Sequence, residues 1–268
     1  MKNSRLMSVL FVLCLTVLIA FTLCACSSDE PSETPDPNAV PSPEVSAEVT
    51  DEPQPVPEKS SVELGETPDA GQEYVDKLVF IGDSTTYGLK YYAVLSGGKS
   101  TDQVLTPASG TLALFNQSFA TVQYPGTDEE IPIVDAVIRR APEYLVLTIG
   151  VNGVSMMDED AFKSDYISLV ERIKENCPNV KIICNSIYPV EASYEAKDNG
   201  INNQVIDRAN GWIYDIAEAT GTHYVNSASV LKGSDGRLIP AYGNGDGIHL
   251  CADGFNAVLN YLRTHAWT

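Results

Sequence analysis

Three stretches of the chain are apolar almost without interruption: KLVFIG over residues 77–82, YLVLTIG over residues 144–150 and VKIICNSIYP over residues 180–189. A strand with one wet face alternates apolar and polar positions, whereas a strand covered on both faces does not, so these three predict the inner strands of a parallel sheet. Between and after them the apolar spacing lengthens to the helical period. From Asp160, Phe162, Tyr166, Leu169, Val170 and Ile173 share one stripe, and Ile201, Val205, Ala209, Trp212, Ile213 and Ile216 form another. A helix-like segment covers Tyr87 to Leu95, a short strand is expected around His223 to Val225, and Phe255, Val258, Leu259 and Leu262 mark a last helix. Strand and helix thus alternate, which predicts a three-layer α/β sandwich with right-handed crossovers. The stretch from Leu95 to Ile133 is less regular. Its turn signals at Gly97-Gly98, Ser109-Gly110 and Pro125-Gly126 leave room for the second strand, a hairpin and loops.

The pattern upstream is different in kind. Lys2 and Arg5 precede an apolar run from Leu6 to about Leu23, followed by Leu23-Cys24-Ala25-Cys26 and then Ser27-Ser28-Asp29. That is the layout of an export signal, residues 1–25, and small residues around a cysteine fit cleavage better than a retained membrane span. The tetrapeptide resembles the bacterial lipobox, which implies a lipid on Cys26 and a protein anchored to the outer face of the cytoplasmic membrane by that lipid alone. From Ser27 to Gln72 there are twelve acidic residues, one lysine, nine prolines and no aromatic residue, so residues 26–72 read as a disordered tether. Proline and like-charge repulsion extend such a chain, lifting a domain roughly 40 to 100 Å off a bilayer. Residues 73–268 then form the one folded domain.

Of 268 residues, 36 are acidic and 17 basic, a formal charge of −19. No lysine or arginine cluster is present to neutralise phosphates, which argues against nucleic acid and against anionic membrane surfaces as partners. Three of the six cysteines, Cys177, Cys184 and Cys251, fall in the folded domain. They imply neither a disulfide framework nor a zinc site, because none forms a C-x-x-C pair.

Ligands of open parallel sheets sit at the carboxyl ends of the strands, so chemistry is sought just after the strand-like runs. Ser84 in Gly82-Asp83-Ser84-Thr85 follows the first run and opens a helix, where free N–H groups favour a developing anion; it reads equally well as an ordinary N-cap serine. G-x-S-x-G, the other serine-nucleophile pattern, is absent. A serine nucleophile needs a base, and the chain has three histidines: His223, His249 and His265. Only His249 lies in a glycine-rich loop, Asn244-Gly245-Asp246-Gly247-Ile248-His249, where Asp246 can reach back to one ring nitrogen while the other faces a serine; on these residues alone a turn with a surface histidine is the plainer reading. No glutamate closes that loop as a calcium site. Asn152, in Gly150-Val151-Asn152-Gly153 after the second strand, offers an amide to an oxyanion, or plain turn chemistry. Gly97-Gly98-Lys99-Ser100 is not a phosphate loop, since Ala93 stands where its first glycine must be.

In this order and at these strand ends, the elements resemble the SGNH/GDSL hydrolases over Leu78 to the end. The resemblance implies a three-layer α/β/α sandwich around a mainly parallel, flavodoxin-like sheet, and a serine esterase needing no metal or cofactor. It implies Ser84 as nucleophile, His249 as base and acid, Asp246 as its orienting partner, and an oxyanion hole from the Ser84 N–H, Asn152 and Gly110. Asp83 would brace the loop; an exposed carboxylate in the first helical turn is its plainer reading. Tyr87, Tyr91, Tyr92, Tyr188 and Tyr242 are candidates to line the site, with core and surface packing the plainer reading for most of them. Two departures stand out: GDSL reads GDST, and the usual aspartate after Asn152 is Gly153, which leaves the anchoring of Asn152 open. The placement of the domain implies a small acyl ester, such as an O-acetyl group on an extracellular glycan, as substrate. A lipase or lysophospholipase, and a non-catalytic glycan-binding or assembly lipoprotein, are the alternatives.

Overall fold

The computed structural model describes residues 62–268; the export signal, Cys26 and the tether up to Ser61 lie outside the described residues. The central sheet has five strands: β1 (Leu78–Gly82), β2 (Val104–Leu105), β5 (Tyr144–Thr148), β6 (Lys181–Asn185) and β7 (His223–Val225). They lie in the order β2-β1-β5-β6-β7, every pair parallel. Counted within the sheet this is 2-1-3-4-5, the flavodoxin-like order, and the strand order reverses between β1 and β5. A hairpin of β3 (Thr121–Gln123) and β4 (Glu130–Pro132) stands apart from it.

Both sheet faces are covered, which is why the strand sequences run apolar without a break. Val79, Ile81, Leu145, Leu147 and Ile182 point into one core, against α3 (Ile133–Arg140), α4 (Glu159–Asn176) and α6 (Asn203–Thr220). Leu78, Phe80, Val146 and Ile183, one residue out of phase, point into the other, against α1 (Gly71–Val75), α2 (Ser84–Tyr91) and α7 (Ala252–Thr264). The expected three-layer sandwich is the observed one. A short helix, α5 (Ala192–Glu195), lies between β6 and α6. Local chemistry sets the helix starts: Asp158 caps α4 by accepting from the Ala161 N–H, and Asn202 caps α6 by accepting from Val205.

The irregular stretch from Leu95 to Ile133 holds β2, the hairpin and two short 3₁₀ turns. Helix α3, just beyond it, was not singled out by the periodicity, although Ile133, Ala136 and Val137 carry its buried face. Helix α2 begins at Ser84 rather than Tyr87, because Asp83 supplies the cap three residues earlier. The folded part begins sooner than the composition suggests. Glu63 pairs in parallel with Tyr224 at the β7 edge, Leu64 is buried, and Asp69 accepts from Arg263 at 2.6 Å. Residues 62–72 therefore belong to the folded domain. An acidic, proline-containing segment orders here because an open strand edge offers its backbone partners. The three domain cysteines, Cys177, Cys184 and Cys251, are all free.

Candidate active site

The switch point of the sheet places two loops side by side. Gly82, the last residue of β1, pairs with Thr148, the last of β5, so the segments that follow each strand leave the sheet together. A side chain at Gly82 could not fit: its Cβ would lie 2.0 Å from Thr86 Oγ1 and 2.5 Å from the Thr148 carbonyl oxygen. The glycine lets the chain turn tightly into α2 and sets Ser84 in the first helical turn.

Asp83, not Ser84, is the cap of α2. Its carboxylate accepts the Thr85 N–H at 2.8 Å and the Thr85 hydroxyl at 2.7 Å. Ser84 is thereby left as the first helical residue, with its hydroxyl free for another partner and its N–H among those that no carbonyl of the helix can meet. That partner is His249. The Ser84 hydroxyl donates to His249 Nε2 at 2.8 Å, and His249 Nδ1 donates to Asp246 Oδ2 at 2.7 Å. An ionised carboxylate can only accept, so the proton sits on Nδ1 and leaves Nε2 as the acceptor facing Ser84.

The loop from Asn244 to His249 is built to hold that geometry. Asp246 Oδ1 accepts the backbone N–H groups of Ile248 and His249, each at 2.9 Å, leaving Oδ2 for the ring. The Asp246 N–H donates to Asn244 Oδ1, and the Asn244 N–H to the His249 carbonyl. Gly247 has φ +91°, and a Cβ there would press on Ser193 and Tyr194, so this position requires glycine. Lys197 donates to the Asp246 carbonyl at 3.1 Å and the Glu191 N–H to that of Gly247 at 2.8 Å, which ties the loop to α5 and its flanks. Burial by itself would raise the Asp246 carboxyl, but the two backbone donors and the imidazole together hold it down to about 2.

Asn152 is anchored across the switch point. Its Nδ2 donates to Asp83 Oδ2 at 3.1 Å and lies 3.5 Å from the Leu112 carbonyl, too far for a full bond, so one amide hydrogen remains loosely held. Asp83 thus answers the question posed by Gly153. Nor could an aspartate stand at 153 in this loop without strain, because Gly153 has φ +120° and a Cβ there would meet the Phe115 ring at 3.2 Å. Asp83 is completely buried rather than exposed; burial pushes its carboxyl up to about 6, opposed chiefly by the two Thr85 bonds.

Gly110 lies where the sequence places it, its missing Cβ 3.8 Å from that of Ser84. Its N–H, however, donates to the Pro107 carbonyl at 2.9 Å. This is a correction: the turn consumes the donor, so Gly110 contributes closeness to Ser84 rather than an oxyanion hydrogen bond.

An open pocket of about 260 Å³ borders the serine, lined among others by Tyr87, Tyr91, Tyr92, His249 and Phe255. Tyr188 is instead buried in the core, its hydroxyl 3.5 Å from Asn185 Nδ2, and Tyr242 packs against the core around α7. Phe255, which the helical period gives only as part of the apolar stripe of α7, also lines this pocket; its approach to Gly88 of α2 is a contact between helices that the period does not encode.

The GDSL-like Lipase/Acylhydrolase family model matches residues 80–257, from β1 into α7. The chain belongs to this family. Ser84, Asn152, Asp246 and His249 all lie inside the matched span. No curated protein matches the chain. Among solved structures, it is similar to a protein assigned as an acylhydrolase from Bacteroides fragilis NCTC 9343, with 21% identity, a TM-score of 0.53, and coverage of 76% of this chain and 90% of that one. It is also similar to a GDSL-like lipase from Bacteroides thetaiotaomicron VPI-5482, with 22% identity, a TM-score of 0.50, and coverage of 70% of this chain and 86% of that one. At such identities the likeness concerns the fold: a mainly parallel five-stranded sheet flanked by helices.

Proposed function

We propose that the protein is a serine esterase that removes small acyl groups, an O-acetyl ester on an extracellular glycan foremost, while held at the membrane surface by lipid on Cys26 and by the tether. The observation that carries this reading is the unbroken chain from Ser84 Oγ through His249 to Asp246, with contacts of 2.8 and 2.7 Å. As Ser84 Oγ bonds to the ester carbonyl carbon, His249 Nε2 takes its proton, and Asp246 stabilises the imidazolium. The negative oxygen of the tetrahedral intermediate is met by the Ser84 N–H and by the loosely held Asn152 hydrogen. Removing one such donor typically costs about 3 to 4 kcal/mol of transition-state stabilisation. His249 then protonates the leaving alcohol, and in the second half it takes a proton from water, which attacks the acyl-serine and releases the acid.

Hydrolysis of p-nitrophenyl acetate by the wild type, Ser84→Ala and His249→Ala tests the mechanism. Loss of at least a thousandfold in kcat is expected for each substitution; turnover that survives either one removes Ser84 and His249 from the chemistry.

A further inference from the structure

The pocket wall formed by α2 is aromatic yet wet. Tyr87 and Tyr91, one helical turn apart, are 43% and 56% exposed, and their rings lie 6.4 Å apart on the same side of the helix as Ser84. A tyrosine that packs a core is covered, and a surface helix needs no aromatic pair beside its nucleophile. An amphipathic ring with one wet face suits a sugar, whose C–H face stacks while its hydroxyls stay in water. The charge beside this wall is also out of keeping with the chain. Lys99 holds its ammonium 5.7 Å from the centre of the Tyr91 ring. With Lys90, from the last turn of α2, it lines a second hollow whose one acidic side chain is Asp128. Among the described residues neither lysine has a carboxylate within ion-pair distance, although the chain carries a formal charge of −19. Lys99 beside the Tyr91 edge of the pocket, without a carboxylate partner among the described residues, leaves a local field that attracts anions.

We infer that Tyr87, Tyr91 and Lys99 form a subsite for an acidic sugar, so that the substrate is an acyl ester of an anionic carbohydrate whose ring rests on Tyr87 while its carboxylate faces Lys99. This deepens the esterase reading and rests on it for turnover, but the binding half stands separately. Stacking of the ring supplies affinity without dictating which sugar is bound. The exposed lysine supplies the preference for negative charge, and that preference weakens as salt screens it.

The test uses acetylated hexuronate oligosaccharides as the acidic probe and acetylated xylo-oligosaccharides as the neutral one. The wild type is expected to favour the acidic probe at least tenfold in kcat/KM. That preference should fall with added salt and disappear in Lys99→Gln, while Tyr87→Ala should lower kcat/KM on both sugar probes at least tenfold more than on p-nitrophenyl acetate. Equal use of the two probes, or a preference that survives Lys99→Gln, overturns the subsite. In parallel, calorimetry on Ser84→Ala with de-esterified hexuronate oligosaccharides reads binding without turnover. Binding that weakens tenfold or more when Lys99→Gln is added supports the subsite even where ester hydrolysis is absent, and no binding to Ser84→Ala contradicts it whatever the esterase does.

Discussion

Ser84 owes its availability to its neighbour. Because Asp83 takes the capping bonds of α2, the serine hydroxyl is free to donate to His249, and the same buried carboxylate holds the Asn152 amide. That double duty has a thermodynamic sign. A carboxyl raised from 3.8 to about 6 carries on the order of 3 kcal/mol against its charged form. Between pH 4 and 6 the folded state holds a proton that the unfolded state has lost, so Asp83 lowers stability progressively as pH rises through this window. The Asp83→Asn protein is expected to melt a few degrees above the wild type at pH 8, with the gain fading by pH 5, and to lose ester turnover roughly ten- to a hundredfold, because an amide facing Asn152 presents a donor to a donor. Thermal melts at the two pH values and kcat at pH 8 check both halves. A lower melting temperature at pH 8 with full activity would contradict this role. Much of this was hidden in the sequence. The Asp-Ser dipeptide after an apolar strand and the Asp-x-x-His loop were readable as motifs. That Asp83 is buried and bonded to a residue 69 positions away, and that the Gly110 N–H is spent on Pro107, depend on loop conformations that no periodicity encodes.

Between helices, the contact that shapes the pocket is α2 against α7. Gly88 faces the Phe255 ring so closely that an added Cβ would lie 2.3 Å from Cε2. Gly88→Ala is therefore expected to destabilise the fold by about 1 to 3 kcal/mol, even though alanine favours helix. It should also displace Phe255 from the pocket wall and raise KM. Pairing it with Phe255→Leu should return most of the lost stability, a coupling expected only of residues in contact. Denaturant melts of the two single variants and the double variant decide this; strictly additive effects would place the residues apart. The elements themselves were largely legible, since strands covered on both faces run apolar without a break whereas helices with one apolar stripe repeat at the 3.6-residue period. Helix α3 escaped because only eight residues carry its stripe.

As a whole molecule, the folded domain begins earlier than its charge pattern suggests. Residues 62–72 cover the β7 edge and brace α7, with Leu64 buried. A chain beginning at Glu73 is expected to lose about 1.5 to 3 kcal/mol from Leu64 alone relative to one beginning at Pro57, and little more from the exposed Asp69–Arg263 pair. Equal melting temperatures for the two would show that the segment adds nothing. Composition failed here because it weighs a segment's own apolar surface and not the unpaired strand edge waiting for it. On the acid side Asp246, held to about 2, contributes stability that is present above pH 4 and lost as pH falls from 4 to 2, so the loop that carries His249 stays ordered through mildly acidic conditions.

The central claim is that one serine is made nucleophilic by one imidazole, and covalent trapping tests it most directly. A fluorophosphonate probe followed by peptide mass spectrometry should place a single adduct on Ser84 in the wild type, with labelling abolished in Ser84→Ala and slowed at least a hundredfold in His249→Ala. An adduct on another residue, or labelling of Ser84 at the same rate without His249, would contradict the account.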